Sequence, residues 1–444
     1  MSGPALVRRT ADGEAGSNIL NIRVVPVIFI PGVMGSRLSV PGGLDWDPDS
    51  VLAMAQLSLR DVRSKTGTLS VDRRPQLTTI RALCGDAQAA IKGNARLKKL
   101  ADALKQDVVA LYEDRGWGTI AWGFYADILM QLETELNIAE QDLFMIPNPV
   151  YAFGYDWRRS NADSGAALLT FVADVLAKHP GARRVILVTH SMGGLVARAA
   201  IALNPGVVAN VLGVVHGAQP SNGAVVAYRR FLTGANKQTD PATSSGVKAK
   251  VGAFVLNRIM GTTPDSYTTL QAGLPGPLQL LPNHLYHHFD DRPPWLQSAP
   301  PANLDAAFGV YAMPERPGVL MVTGPTLELD VLGVNAALSL RLVEAGGFHT
   351  FLGTTAHPNT HVLFSSGVPT DVGVDLTSSS IVIDKQPLGD GTVPGVSGRC
   401  PHLPSSSVKL RREFTGLEHA GVYADSGFNQ AALESVRTIM LELD

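Results

Sequence analysis

Cysteine is scarce: Cys84 and Cys400 are the only two in 444 residues. Two thiols exclude a disulfide-stapled scaffold, and whether they pair is left open by the sequence. Long hydrophobic runs are missing too, with no stretch of eighteen apolar residues, so no membrane-spanning helix is expected. Nor is there an excess of charge of either sign: 37 basic residues face 39 acidic ones, for a formal charge of -2. That balance supplies no field for gripping nucleic acid, and none is expected as a partner. The N-terminal "MSGPALVRRTADGEAGSNIL" has two arginines but no apolar core behind them. It therefore reads as a tail (residues 1–23) without a signal peptide, and the cytoplasm is the expected location. Neither internal repeats nor a low-complexity tail is seen.

What is present is apolar material and turn formers: 45% of residues are hydrophobic, with 44 glycines and 29 prolines. This is the composition of a globular, loop-rich chain. The length would permit two or three domains, but large α/β enzymes often extend one core with insertions. Residues 24–30, "VVPVIFI", form a short β-branched run cut off by "PGVMGS", a buried strand and a glycine-rich turn. Residues 161–178 have helical spacing with Ser160 or Asn161 as cap, followed by a strand at 184–188, a helix at 192–203 and a strand at 207–216. Later strands are expected at 318–324 and 361–367, and an amphipathic helix at 428–443. Alternating apolar strands and helices predict an α/β fold, a mostly parallel sheet with helices on both faces. Two stretches interrupt the alternation, residues 41–121 and the proline- and histidine-rich 221–315. Long insertions past strand ends usually build lids or caps, and one domain over 24–444 with these two covers is expected.

The stretch "VILVTHSMGGLVAR" (185–198) carries the chemistry. A buried strand, a five-residue turn centred on serine and a helix make a nucleophile elbow, which lifts the hydroxyl of Ser191 above the sheet edge. The turn is so tight that residues two positions away must be small. Gly193 satisfies this; Thr189, where glycine is common, departs from it. The plainer reading is a serine capping the next helix.

A serine nucleophile needs a base, and the base needs an acid, in the chain order serine, acid, histidine. His190 adjoins the serine and points away on a tight turn, as a packing residue. His419, in "TGLEHAGVYAD" between the strand-like "SVKLRREF" and the last helix, sits where a loop returns over the serine. His402, in "RCPHLPSSS", is the alternative. Asp390, in "LGDGTVP" after the strand-like "SSIVIDKQ", is the candidate acid, and Gly389 and Gly391 leave its carboxylate room. Asp384 is the alternative, within the strand itself. For an oxyanion hole the backbone N–H of Met192 is one donor, and Val33, with Met34 beside it, the other. His284, His287, His288, Asp290 and Asp291 fit no ordered ligand spacing, so no metal is expected. Asp156, Trp157 and Arg158 read as braces of a turn.

With "IPGVMGSRL", "FGYDWRRS", "THSMGGLVAR", "FSSGVPT", "GDGTVP" and "EHAGVY" in this order, the chain resembles the lecithin:cholesterol acyltransferase family. That group includes lysosomal phospholipase and phospholipid:diacylglycerol acyltransferase. The resemblance implies Ser191 as nucleophile, Asp390 as acid, His419 as base, and Val33 and Met192 at the oxyanion hole. It implies the α/β-hydrolase fold, and acyl transfer or hydrolysis on lipid esters through an acyl-enzyme with no cofactor. The length, tryptophans and prolines of the two insertions add an expected transient contact with a lipid interface. Two other functions remain: hydrolysis of non-lipid esters, lactones or amides, and a catalytically silent lipid- or protein-binding member of the fold.

Overall fold

The computed structural model describes residues 24–140, 143–145, 148–235, 257–286, 296–298, 331–376 and 381–443. Eight strands matter here: β1 (Val27–Ile30), β2 (Val150–Ala152), β3 (Val185–His190), β4 (Val211–Gly217), β5 (Thr360–Ser366), β6 (Val368–Leu376), β7 (Val382–Gly389) and β8 (Val408–Thr415). Six form one sheet in the order β8-β5-β4-β3-β1-β2, and each neighbouring pair is parallel. β6 and β7 pair antiparallel beside it, with the short strand Leu296–Ser298 on the far side of β6.

Parallel strands need helical crossovers, which cover both faces and leave room for apolar side chains alone. β1 obeys this: Ile28 and Ile30 face one core, Val27 and Phe29 the other, and all four are fully buried. Each such side chain contributes about 1.5–3 kcal/mol. The helices used below are α1 (Val51–Ser58), α2 (Trp122–Leu136), α3 (Asn161–Lys178), α4 (Gly193–Leu203), α5 (Val331–Leu352) and α6 (Ser426–Met440). Leu168 and Val172 of α3 pack with Leu195 and Val196 of α4 in the first core. Ile128 and Leu129 of α2 pack with Val436 of α6 in the second. Ser160 is the α3 cap, its hydroxyl accepting from Ala162 N–H at 3.2 Å.

The segment expected as a strand over 207–216 divides in two. Pro205–Asn210 is a 3₁₀ turn, because the Asn204 side chain accepts from Gly206 N–H and Pro205 presets the first turn. The strand itself starts at Val211. The expected strand at 318–324 and the tail 1–23 lie outside the described residues, as does part of 221–315. Within 41–121 the chain builds α1 and four further short helices, from Val62–Leu69 to Val108–Asp114.

The strand order positions a site. β2 lies on one side of β1 and β3 on the other, so the connections leaving β1 and entering β3 part in opposite directions. In open α/β sheets the crevice at such a switch point, beyond the carboxyl ends of the strands, is where ligands bind. The turn after β1 and Ser191 after β3 both open into it.

Candidate active site

Ser191 stands in the left-handed region at φ +50°, a conformation that costs a non-glycine residue energy and is held only by its surroundings. Its N–H donates to Gly217 O at 2.9 Å, tying the turn to β4. Gly193 is obligatory for packing, since a Cβ there would come within 2.5 Å of Ile30 O. Thr189 is accommodated because its side chain turns toward β4, where its hydroxyl bonds His216 Nδ1 at 3.0 Å. The carbonyl of Thr189 accepts from the Tyr423 hydroxyl at 2.9 Å. α4 begins directly after Met192, and the positive end of its dipole faces the same crevice.

The predicted residues come together. His419 Nε2 lies 2.9 Å from Ser191 Oγ, and His419 Nδ1 lies 2.7 Å from Asp390 Oδ2. A carboxylate oxygen facing Nδ1 makes that nitrogen the N–H donor, so Nε2 is the one left to accept the serine proton. The other oxygen, Asp390 Oδ1, accepts from Thr392 N–H at 3.0 Å and Val393 N–H at 2.6 Å. Gly391 makes that loop by taking φ +86°. The main chain adds a clamp, His419 N–H donating to Asp390 O at 2.8 Å. Ser191 and Asp390 are 3% and 2% exposed, so bulk water screens the row little.

The turn after β1 closes with Gly35 N–H donating to Gly32 O at 3.1 Å. Met34 sits at its third position with φ +63°, where glycine is usual, and its carbonyl accepts from Trp46 Nε1 at 3.1 Å. The turn's own bond uses neither Val33 nor Met34 N–H. It lies against the serine, for a Cβ on Gly32 would stand 3.0 Å from Ser191 Cβ. Met192 is the N-cap of α4, so its N–H has no intrahelical partner.

The alternatives lie elsewhere. His402 is on the turn before β8, and burial beside Arg198 and His349 pushes its imidazole down to about 2. Asp384 remains on β7 and accepts from Gln386 Nε2 at 2.7 Å. Cys84 and Cys400 are both free thiols. Of the histidine–aspartate cluster only His284 is described, and among the described residues no group of three or more His, Cys, Asp or Glu could hold a metal ion. Arg158 and Asp156 form a fully buried pair with contacts of 2.7 and 2.6 Å, and Arg158 also donates to Leu69 O and Pro75 O. Trp157 packs edge-on against Trp46 with ring centroids 4.9 Å apart.

Sequence reasoning missed Tyr125 altogether. Its hydroxyl lies 2.9 Å from His190 Nδ1 and accepts from Gly32 N–H at 3.1 Å. In "WGFYADIL" it looks like any aromatic on a buried helical face, and no signal in the sequence distinguishes it.

Comparison with known proteins gives the wider setting. Residues 166–272 match the PGAP1-like alpha/beta domain family. Across 95% of this chain and 99% of the other, the structure superposes on a chain of the Tle4–Tli4 complex with a TM-score of 0.65 and 21% identity. The lipase BlEst2 of Bacillus licheniformis in its mature form matches over 90% of this chain and 87% of its own, at 9% identity and a TM-score of 0.32. The products of the gene lin2722 from Listeria innocua match over 95% of both chains, at 11% identity and 0.33. No curated protein matches the sequence. The relationship is coarser than the lecithin:cholesterol acyltransferase family that the six motifs resemble. The sheet order, the elbow at Ser191 and the superposition together make this chain an α/β-hydrolase-fold protein.

Proposed function

We propose that the protein is a serine-dependent acyl-ester hydrolase that also transfers acyl groups to lipophilic alcohols, with lipid esters as substrates. The observation that carries this is the hydrogen-bonded row Ser191–His419–Asp390 at the switch point of the sheet. In the reaction His419 Nε2 takes the proton of Ser191 as its oxygen attacks the ester carbonyl carbon. Asp390 holds Nδ1–H and offsets the charge of the imidazolium that forms. The carbonyl oxygen becomes an oxyanion, met by the N–H groups of Met192 and Val33, each contributing about 3–4 kcal/mol. As the carbonyl reforms, the alcohol leaves with the proton from His419, and the acyl group remains on Ser191. His419 then deprotonates water or a second alcohol, which attacks the acyl carbon, and it returns that proton to the Ser191 oxygen as the carbonyl reforms and the new acid or ester leaves.

The lipid assignment is favoured by large apolar side chains left in solvent: Val51, Leu52 and Leu59 at 79%, 68% and 74% exposed, and Leu340, Val343 and Phe351 on α5. No helix among the described residues is long and apolar enough to cross a membrane, so contact would be with a lipid surface. Residues 41–121 and the described parts of the stretch 221–315 would then act as covers over the site.

The test is product partitioning on a dispersed long-chain ester, with free fatty acid and new ester quantified at rising alcohol concentration. Free acid without alcohol, and new ester with it, are expected. New ester never exceeding the enzyme-free control would leave a hydrolase only, and no product of either kind would remove the enzymatic reading.

A further inference from the structure

His190 and Tyr125 stand directly behind the reacting groups without joining them. His190 Nε2 lies 3.0 Å from the main-chain carbonyl of His419, and its Nδ1 lies 2.9 Å from the Tyr125 hydroxyl. That hydroxyl accepts the N–H of Gly32, the first residue of the turn that bears Val33 and Met34. One assignment of protons satisfies every group. A carbonyl only accepts, so His190 carries its proton on Nε2 and donates it to His419 O. Burial, with His419 close by, pushes His190 down to about 3, so the ring is neutral and Nδ1 is bare. Tyr125 must then donate its O–H to Nδ1, which leaves the phenol oxygen to accept from Gly32.

We propose that Tyr125 and His190 are positioning residues that tie the turn bearing Val33, one of the two oxyanion donors, to the main chain of His419. The proposal rests on the reading of Ser191, His419 and Asp390 given above. The four-membered chain Gly32–Tyr125–His190–His419 joins the two loops that must agree in position when the ester is attacked. Those loops arrive from distant parts of the sequence, one after β1 and one after β8. His419 is gripped on both sides of its α-carbon, its N–H by Asp390 O and its carbonyl by His190. Tyr125 also fits closely under the turn, since a Cβ on Gly35 would come within 2.7 Å of its hydroxyl. α2 presents this tyrosine from the opposite core, where Phe29 packs 5.0 Å from its ring, so the hydroxyl has a rigid base. Hydrogen bonds of this sort set geometry, and misplacing a reacting group by about 1 Å costs on the order of 10²-fold in rate.

The test uses the full chain and p-nitrophenyl butyrate below any micelle concentration. Tyr125→Phe keeps the ring and removes the hydroxyl. It is expected to lower kcat by roughly 10- to 100-fold with KM within about twofold, and to slow fluorophosphonate labelling of Ser191 in parallel. Tyr151→Phe is the control for loss of a buried tyrosine hydroxyl bond. Tyr151 bonds His179 Nε2 at 2.8 Å past the C-terminal end of α3, on the side of the sheet away from the crevice, and kcat should stay within about twofold. A kcat for folded Tyr125→Phe equal to that of Tyr151→Phe overturns the proposal. Should Tyr125→Phe not fold, His190→Gln and His190→Leu decide. Gln retains a donor for His419 O and should keep roughly tenfold more kcat than Leu, whereas equal kcat in the two overturns it. Ser191→Ala separates the two levels. Retained activity there removes the underlying site reading, while loss there with unchanged kcat in Tyr125→Phe removes only the positioning role.

Discussion

At the residue scale the proposed reaction depends on three side chains, Ser191, His419 and Asp390, acting as one unit. Ser191→Ala and His419→Ala should each lower turnover by several orders of magnitude, and the double variant should be little worse than either, because the groups share one step. Asp390→Asn should cost about 10⁴-fold, since an amide offers an N–H where His419 Nδ1–H needs an acceptor. Steady-state kinetics on a soluble ester check all of these. Activity lost in His402→Ala but spared in His419→Ala would reverse the assignment of the base. Ser191, Asp390 and His419 were legible from their turns: a serine between a strand and a helix, an aspartate between two glycines, a histidine ahead of the last helix. Thr189 was the residue that looked wrong. Its β-branched side chain is tolerated because His216, on the neighbouring strand, offers a bond partner on the side away from the turn.

Among the elements, the segment from Leu69 to Leu77 is bonded at three main-chain points to one buried ion pair in the connection after β2. Arg158 donates to Leu69 O and Pro75 O, while Asp156 Oδ2 accepts from Leu77 N–H at 3.0 Å. Arg158→Met would strand the Asp156 carboxylate without its cation, and it should destabilise the fold by about 3–5 kcal/mol. Urea unfolding measures this, and a loss below about 1 kcal/mol would mean the strap carries little. α1 supplies a second prediction. Val51 and Leu52 are exposed at its first turn, and Ser50 caps it through Ala53 N–H. Replacing both by serine should leave the rate on soluble monomeric ester unchanged and lower that on dispersed lipid by roughly tenfold or more. Equal losses on both substrates would assign the pair to folding instead of lipid contact.

Across the whole molecule, buried histidines make stability depend on pH. Burial pushes His190 and His216 down to about 3 and His349 to about 4, below the usual 6.5. Below pH 6.5 the unfolded chain binds protons at these positions and the folded chain does not. Their contribution is therefore complete above about pH 6.5 and declines as the pH falls toward 3–4, at up to about 1.4 kcal/mol per pH unit for each. The melting temperature should drop between pH 7 and pH 5, and calorimetry in buffers of different ionisation enthalpy should show proton uptake on unfolding. A melting temperature that rises over that range would contradict the assignment of these rings as neutral.

The sequence by itself determined the alternation of strands and helices, the elbow at Ser191 and the order serine, aspartate, histidine. Those features are local: they follow from which side chains favour a strand, a tight turn or a cap within a few residues. It placed the start of β4 too early because Val207 and Val208 favour a strand, while Asn204 and Pro205 before them close a turn. What only the tertiary structure decided is how groups far apart in the chain meet. His419 lies 228 positions from Ser191, and the bond from Tyr125 to His190 spans 65. No period or motif encodes such pairs, because each is set by the packing of whole elements across the sheet. The free state of Cys84 and Cys400 was settled in the same way, by where the fold puts them.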